Sequence, residues 1–291
     1  MKKLLLPALI VSVLILSLSL LDRYFLKLND GFCIRTILNI LPPDQERESS
    51  LPPSTDLSSV FNQEFHYLAR GHQSYAFVSA DDKYVIKFYR FPSHLRPFPW
   101  LNHPLSSHFS TRRQQIMEYN LEKLDLTFNS YKLAYEELPQ ETGLLWIHLT
   151  SSGNWNQTIT LIDRTCNRYT LPLDPLCFVV QKKAELIFPS LEEALSQNDE
   201  EGAKRIIDGI CELITIRSQK GIKDTDAILE KNYGWDGKRA LSIDVGRFIS
   251  AQTEETLCHE LKTITHPLES WLQTREPELL KYYKEKVENT R

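Results

Sequence analysis

Near the end of the chain, Asp224, Asp226, Asn232 and Asp244 lie within one stretch, GIKDTDAILEKNYGWDGKRALSIDVGRF, residues 221 to 248. Asp236-Gly237 between the last two marks a tight hairpin turn, which folds Asn232 back toward Asp244. Two oxygen-bearing side chains at the base of one hairpin can both reach a hard cation such as Mg²⁺, which prefers carboxylate and carbonyl oxygens together with substrate phosphate. Asp244 in SIDVGRF would alone be only a turn signal, because Asp and Gly leave a strand easily. With Asn232 beside it, it becomes a candidate metal ligand, and Asp224 or Asp226 becomes a candidate general base.

A phosphate beside such a cation calls for further positive partners, and one candidate lies far upstream. In YVIKFYR (84 to 90) the period of two puts Lys87 on a face with Val85 and Tyr89, opposite Tyr84, Ile86 and Phe88. Such a lysine can simply sit at an edge and extend its ammonium into water. The preceding loop in LARGHQSYAFV holds Gly71 and Ser74 between two strands, where a phosphate could rest against backbone N–H groups.

The elements that must position these residues follow a legible order. FHYLA, YAFVS and YVIKFYR read as three short strands joined by turns, an antiparallel meander. A proline- and aromatic-rich insertion (91 to 110) precedes a helix over 111 to 138 that contains Glu118 and Glu122. Strands return at 144 to 151, 158 to 164 and 177 to 185. Ser190 is the expected N-cap of the next helix, with Glu193 completing a capping box. Ile206, Ile207, Ile210, Cys211, Ile214 and Arg217 recur at helical spacing up to Gly221, a C-terminal cap residue. After the hairpin, amphipathic helices are expected around Pro267 and Pro277, with His259 and His266 on the surface or in the core.

Taken in order, these segments resemble the protein-kinase-like superfamily: a glycine-containing loop, a third-strand Val-Ile-Lys, a helix glutamate, a hinge, then Asp, Asn and Asp-x-Gly. The resemblance covers roughly residues 64 to 248 and implies an α+β, two-lobed fold with a small antiparallel-sheet N-lobe and a reduced helical C-lobe. It further implies ATP and Mg²⁺ as cofactors, with Lys87, Gly71 and Ser74 at the phosphates and Glu122 pairing with Lys87. Asn232 and Asp244 would hold metal, and Asp226 or Asp224 would accept the substrate hydroxyl proton. Residues 181 to 185 would be the hinge that meets adenine through backbone groups.

This sequence departs from the family pattern in several places. Ala69 and Ser74 stand where further glycines would be, and Val245 replaces Phe in Asp-Phe-Gly. Asn232 follows Asp226 by six residues and Asp224 by eight, where the family has five, so the base stays open between the two. Only 43 residues follow Phe248, so the peptide-docking platform is expected to be missing or rebuilt.

The remainder of the chain bounds location and partners. LLLPALIVSVLILSLSLL (4 to 21) carries no charge over eighteen residues, at the short end of a membrane-spanning helix. Residues 1 to 21 are therefore expected as a single-pass anchor or a signal peptide. The side of the folded domain is open, cytoplasmic if the protein is an active kinase. Residues 22 to 60 have linker composition in PPDQERESSLPPSTDLSS, 61 to 180 would form the N-lobe, and 181 to 291 the C-lobe.

The chain has 291 residues, 42% hydrophobic and 25% charged, with a net charge of −4. That is ordinary globular composition and argues against a nucleic-acid surface. Five cysteines without a Cys-x-x-Cys pair suggest neither zinc nor a redox motif. The expected partners are a nucleotide, the membrane through the N-terminal helix, and a protein. Three functions fit: a membrane-anchored atypical kinase with an unknown acceptor, a pseudokinase acting as a tethered binding module, or an unrelated α+β membrane protein.

Overall fold

The computed structural model describes residues 2–289 apart from 40, 42, 50, 54, 55, 92–106, 154 and 252–256, and for 2–9 and 107–113 it describes the backbone alone. Helices α1 (Lys2–Leu28), α2 (Ile34–Ile37) and α3 (Leu57–Phe61) come first. The meander follows as β1 (Glu64–Arg70), β2 (Ser74–Ser79) and β3 (Tyr84–Tyr89). Most of the proline-rich insertion lies outside the described residues. Then come the long α4 (Ser107–Glu137), the short α5 (Pro139–Thr142), β4 (Leu144–His148), the hairpin β5 (Thr158–Ile162) and β6 (Arg168–Pro172), and β7 (Phe178–Lys182).

These strands make one seven-stranded sheet in the order β4-β7-β3-β2-β1-β5-β6. All neighbours are antiparallel except β1 and β5, where Phe65 faces Leu161 in a parallel pair. Alternation along each strand gives the sheet two apolar faces, and both must be covered. Ile86 and Phe88 belong to one, with Phe65, Phe77, Phe178 and Val180. Tyr89 belongs to the other, packed with Val179 and Ile147 against Leu124, Phe128, Tyr131 and Tyr135 of α4.

The first face is covered by the segment expected as a linker. Phe32, Ile37, Val60 and Phe61 are all buried in that core, and Phe32 makes edge-to-face contacts with Tyr75 and Phe77 at 5.2 and 5.1 Å. Each such ring is worth about 1.5–3 kcal/mol of burial. A few apolar residues spaced through polar sequence suffice, which is why composition reads as linker. Asn29 fastens the segment: its amide donates to Asp163 Oδ2 at 2.8 Å, and its Oδ1 accepts from the Arg164 N–H at 3.0 Å.

The expectation of a single-pass membrane protein is corrected. Among the described residues no helix is long and apolar enough to cross a membrane. The uncharged residues 4 to 21 end at Asp22 and Arg23, and eighteen helical residues rise about 27 Å, short of a hydrocarbon core of about 30 Å.

The second half is mostly helical. It runs through β8 (Glu185–Leu186), α6 (Ile187–Ser196), α7 (Glu200–Gln219), β9 (Ile222–Asp224), α8 (Leu229–Asn232), β10 (Tyr233–Trp235), β11 (Ala240–Ser242), β12 (Phe248–Ser250), α9 (Leu257–Arg275) and α10 (Pro277–Asn289). Ile206, Ile207, Ile210, Cys211 and Ile214 of α7 pack against Leu261, Ile264, Leu268, Leu272 and Tyr283 of the last two helices. Asp199 caps α7 by accepting from the Gly202 N–H at 2.7 Å, and Gly221 ends it with φ +66°. Ser190, expected as a cap, lies inside α6 and donates to the Leu186 carbonyl at 3.0 Å.

Candidate functional site

Two short antiparallel pairings assemble the acidic residues. Turn chemistry builds the first: Asp236 Oδ1 accepts from the Lys238 and Arg239 N–H groups at 2.8 Å each, and Gly237 takes φ +90°. Tyr233 then faces Ser242, and the Ile243 N–H donates to the Asn232 carbonyl at 2.8 Å. In the second pairing Phe248 faces Asp224. Asp226, Asn232 and Asp244 thus come to line one hollow of about 140 Å³ together with Gly71 and Ser74 of the β1–β2 loop.

The two candidate bases have different fates. Asp224 is buried and sits 3.7 Å from the guanidinium of Arg217, whose other contacts are Glu260 at 2.6 Å and the Tyr233 hydroxyl at 2.8 Å. Its Oδ1 accepts from the Asp226 N–H at 3.0 Å. Burial raises its pKa, and Arg217 opposes that shift. Asp226 is exposed in the hollow, and its carbonyl accepts from Asn232 Nδ2 at 2.6 Å. That bond fixes the Asn232 amide, which lines the hollow together with Asp244.

Lys87 donates to the Ile243 carbonyl, next to Asp244. Burial holds its ammonium below the ordinary lysine pKa, and Asp244 opposes that shift. Glu122 is exposed on α4, while the residues that α4 presents to the hollow are Thr127 and Tyr131. Asp244 is therefore the carboxylate that balances Lys87. Ser130, one turn along, donates to the Val245 carbonyl and accepts from the Phe248 N–H at 2.6 Å. Through it α4 holds the segment just after Asp244.

The loop over the hollow is secured by its own neighbours. The Gly71 N–H donates to the Ser74 carbonyl at 2.9 Å, and the Arg90 N–H donates to the Gln73 carbonyl at 2.8 Å. The Arg90 guanidinium reaches the His72 carbonyl at 3.1 Å, and Thr127 donates to Gln73 Oε1 at 2.5 Å. Tyr89, Thr127, Ser130 and Tyr131 were not singled out as site residues from sequence. Tyr89 shares the face of Lys87 by strand period, and 127, 130 and 131 share one helix face by i, i+3, i+4 spacing. Those periodicities were the available signal.

The donor set suits a hard cation only in part. Among the described residues no three His, Cys, Asp or Glu side chains converge as a metal centre. Asn232 and Asp244 offer two oxygen ligands, which fits Mg²⁺, an ion that keeps several waters and takes substrate phosphates as further ligands. It does not fit a cation that requires an all-protein cage.

No family model and no curated protein matches the chain. Among solved structures it is similar to the bifunctional kinase-methyltransferase WbdD, at 14% identity and TM-score 0.35, covering 74% of this chain and 43% of that one. It is also similar to the ROP18 kinase domain in complex with AMP-PNP and sucrose, at 13% identity and TM-score 0.35, covering 65% and 52%. A third is Rv3197 with erythromycin from Mycobacterium tuberculosis, at 14% and 0.32, covering 80% and 56%. The chain spans about half the length of these proteins. Likeness at this level carries no activity or substrate over to this chain. The order of elements, a loop, the lysine strand, a long helix, more sheet, a helical half, and then the hairpin between Asn232 and Asp244, is the order that the resemblance to protein kinases implies.

Proposed function

We propose that the hollow lined by Asp226, Asn232, Asp244 and the Gly71–Ser74 loop, with Lys87 held on the Ile243 carbonyl beside Asp244, binds the phosphates of a Mg²⁺-nucleotide and that the protein transfers a phosphoryl group from ATP to an acceptor. The observation that carries this reading is the convergence of Asp226, Asn232 and Asp244 on one hollow with the Gly71–Ser74 loop, the Asn232 amide being bonded to the Asp226 carbonyl. Asp226, exposed in the hollow, is the base for the acceptor hydroxyl. Asp224 supports it from below by holding the Asp226 N–H. Lys87 neutralises phosphate charge, and Asn232 and Asp244 would hold Mg²⁺, which supplies further charge neutralisation on the transferred group.

A second reading has its own support. The hollow is small beside ligand pockets of roughly 300–1,000 Å³, and the Gly71 N–H is already committed to Ser74. A protein that binds phosphates without turnover, a pseudokinase, is consistent with both. Thermal unfolding of the full chain with and without Mg²⁺-ATP tests the first step, because binding at 100 times Kd stabilises by about 2.7 kcal/mol. The shift is expected in the wild type and lost in Lys87→Ala and Asp244→Asn, both of which should stay folded. A wild-type protein that does not respond refutes nucleotide binding. A response without phosphate transfer to any acceptor or to water favours the pseudokinase.

A further inference from the structure

We propose that the Tyr89 hydroxyl is a ligand-binding donor of this hollow, placed to bond a phosphoryl oxygen held beside Asp244 and Asn232. The proposal rests on the reading that the hollow takes a phosphorylated ligand. Tyr89 is 1% exposed, and its ring is fixed edge-on against Phe128 and Tyr131, with centroids 4.8 and 5.6 Å away. Its N–H donates to the Cys177 carbonyl at 3.0 Å. The side chain has little freedom to turn elsewhere, yet it lines the hollow beside Asp244 and Asn232.

The hydroxyl itself bonds to none of the described residues. A buried polar group without a partner is costly, and phenylalanine would fill the same volume without that cost. Tyr131, beside it, differs: its hydroxyl is supplied by the Val245 backbone. Burial and the nearby Asp244 also keep the Tyr89 phenol protonated, with its pKa well above the ordinary value. It therefore meets an anion as a donor.

The hollow has need of one. Phosphates bind most simply to a row of backbone N–H groups, but the Gly71 N–H is spent on Ser74 and one Lys87 proton on Ile243. A phenol on the same strand face as Lys87 supplies a replacement. It gives the phosphate end of the hollow a donor carried on a rigid strand rather than on the loop.

The test compares wild type and Tyr89→Phe as full chains, titrated with Mg²⁺-ATP and with Mg²⁺ and inorganic tripolyphosphate. Without ligand, the variant is expected to unfold at the wild-type midpoint or above. It is expected to bind both probes roughly tenfold more weakly, the loss of a hydrogen bond to a charged group. Equal binding in both proteins overturns the proposal, as does a large drop in the unliganded midpoint, which would assign the hydroxyl to the fold. Wild-type protein that binds neither probe overturns it as well. Binding of tripolyphosphate but not ATP, weakened in the variant, sustains Tyr89 while refuting the nucleotide reading.

Discussion

Arg217→Leu is the perturbation whose magnitude the structure specifies best. The guanidinium is completely buried, with its charge shared between Glu260 at 2.6 Å and Asp224 at 3.7 Å, and its side-chain neighbours are 8% and 2% exposed. Removing it leaves two carboxylates in a site with no other cation among the described contacts. Breaking a buried pair in this way costs about 3–5 kcal/mol, most of it the penalty of an uncompensated charge. In a chain of 291 residues that is a fall of roughly 5–8 °C in the unfolding midpoint.

The same substitution carries a pH signature. Asp224 already has a raised pKa in the folded state, from burial, with Arg217 opposing the rise; without the arginine it rises further. A carboxylate whose folded pKa lies above its unfolded value of 3.8 destabilises the fold above the folded pKa. That penalty is relieved as pH falls toward the unfolded value. Urea unfolding of both proteins at pH 8 and pH 5.5 should therefore show the full deficit at the higher pH and a smaller one at the lower. A deficit under about 1 kcal/mol at pH 8, or one that grows on acidification, refutes the account of this network.

Two further predictions concern the supports of the hollow and the upper sheet. Ser130→Ala removes the bridge between the Val245 carbonyl and the Phe248 N–H and leaves both groups buried. It should cost about 2–3 kcal/mol by denaturant titration and weaken any Mg²⁺-ATP response, whereas Ser130→Thr should restore part of both. His148 is buried among Trp155 and Phe178, near Asp174 and Glu48, and burial lowers its pKa below 6.5 despite Asp174. A base with a depressed folded pKa contributes stability above its unfolded pKa and loses it as pH falls below about 6.5. His148→Phe should flatten that part of the stability–pH curve, and an unchanged slope would show that the imidazole is not held neutral.

Much of the fold was legible because its signals are local. The period of two set Lys87 and Tyr89 on one face of β3, helical spacing marked the buried stripe of α7, and Asp236-Gly237 announced the hairpin that returns Asp244 to Asn232. Each rests on residues within a few positions of one another. The segment before Phe61 failed for a corresponding reason. A handful of apolar residues among Pro, Ser and charge does not reveal that a sheet face dozens of residues away requires them.

The candidate site divides along the same line. Sequence alone determined which residue types could meet phosphate and metal, and the hairpin that returns Asp244 to Asn232. It left Asp224 and Asp226 equivalent, since both lie near Asn232 along the chain. Tertiary structure separated them, because Arg217 of α7 and Glu260 of α9 close around Asp224 and leave Asp226 facing the hollow. The helix register was decided in the same way. Whether α4 offers Glu122 or Thr127 and Tyr131 to the hollow depends on how the helix rotates against the sheet. That rotation is set by Leu124, Phe128 and Tyr135 filling the core, a packing constraint no local pattern encodes.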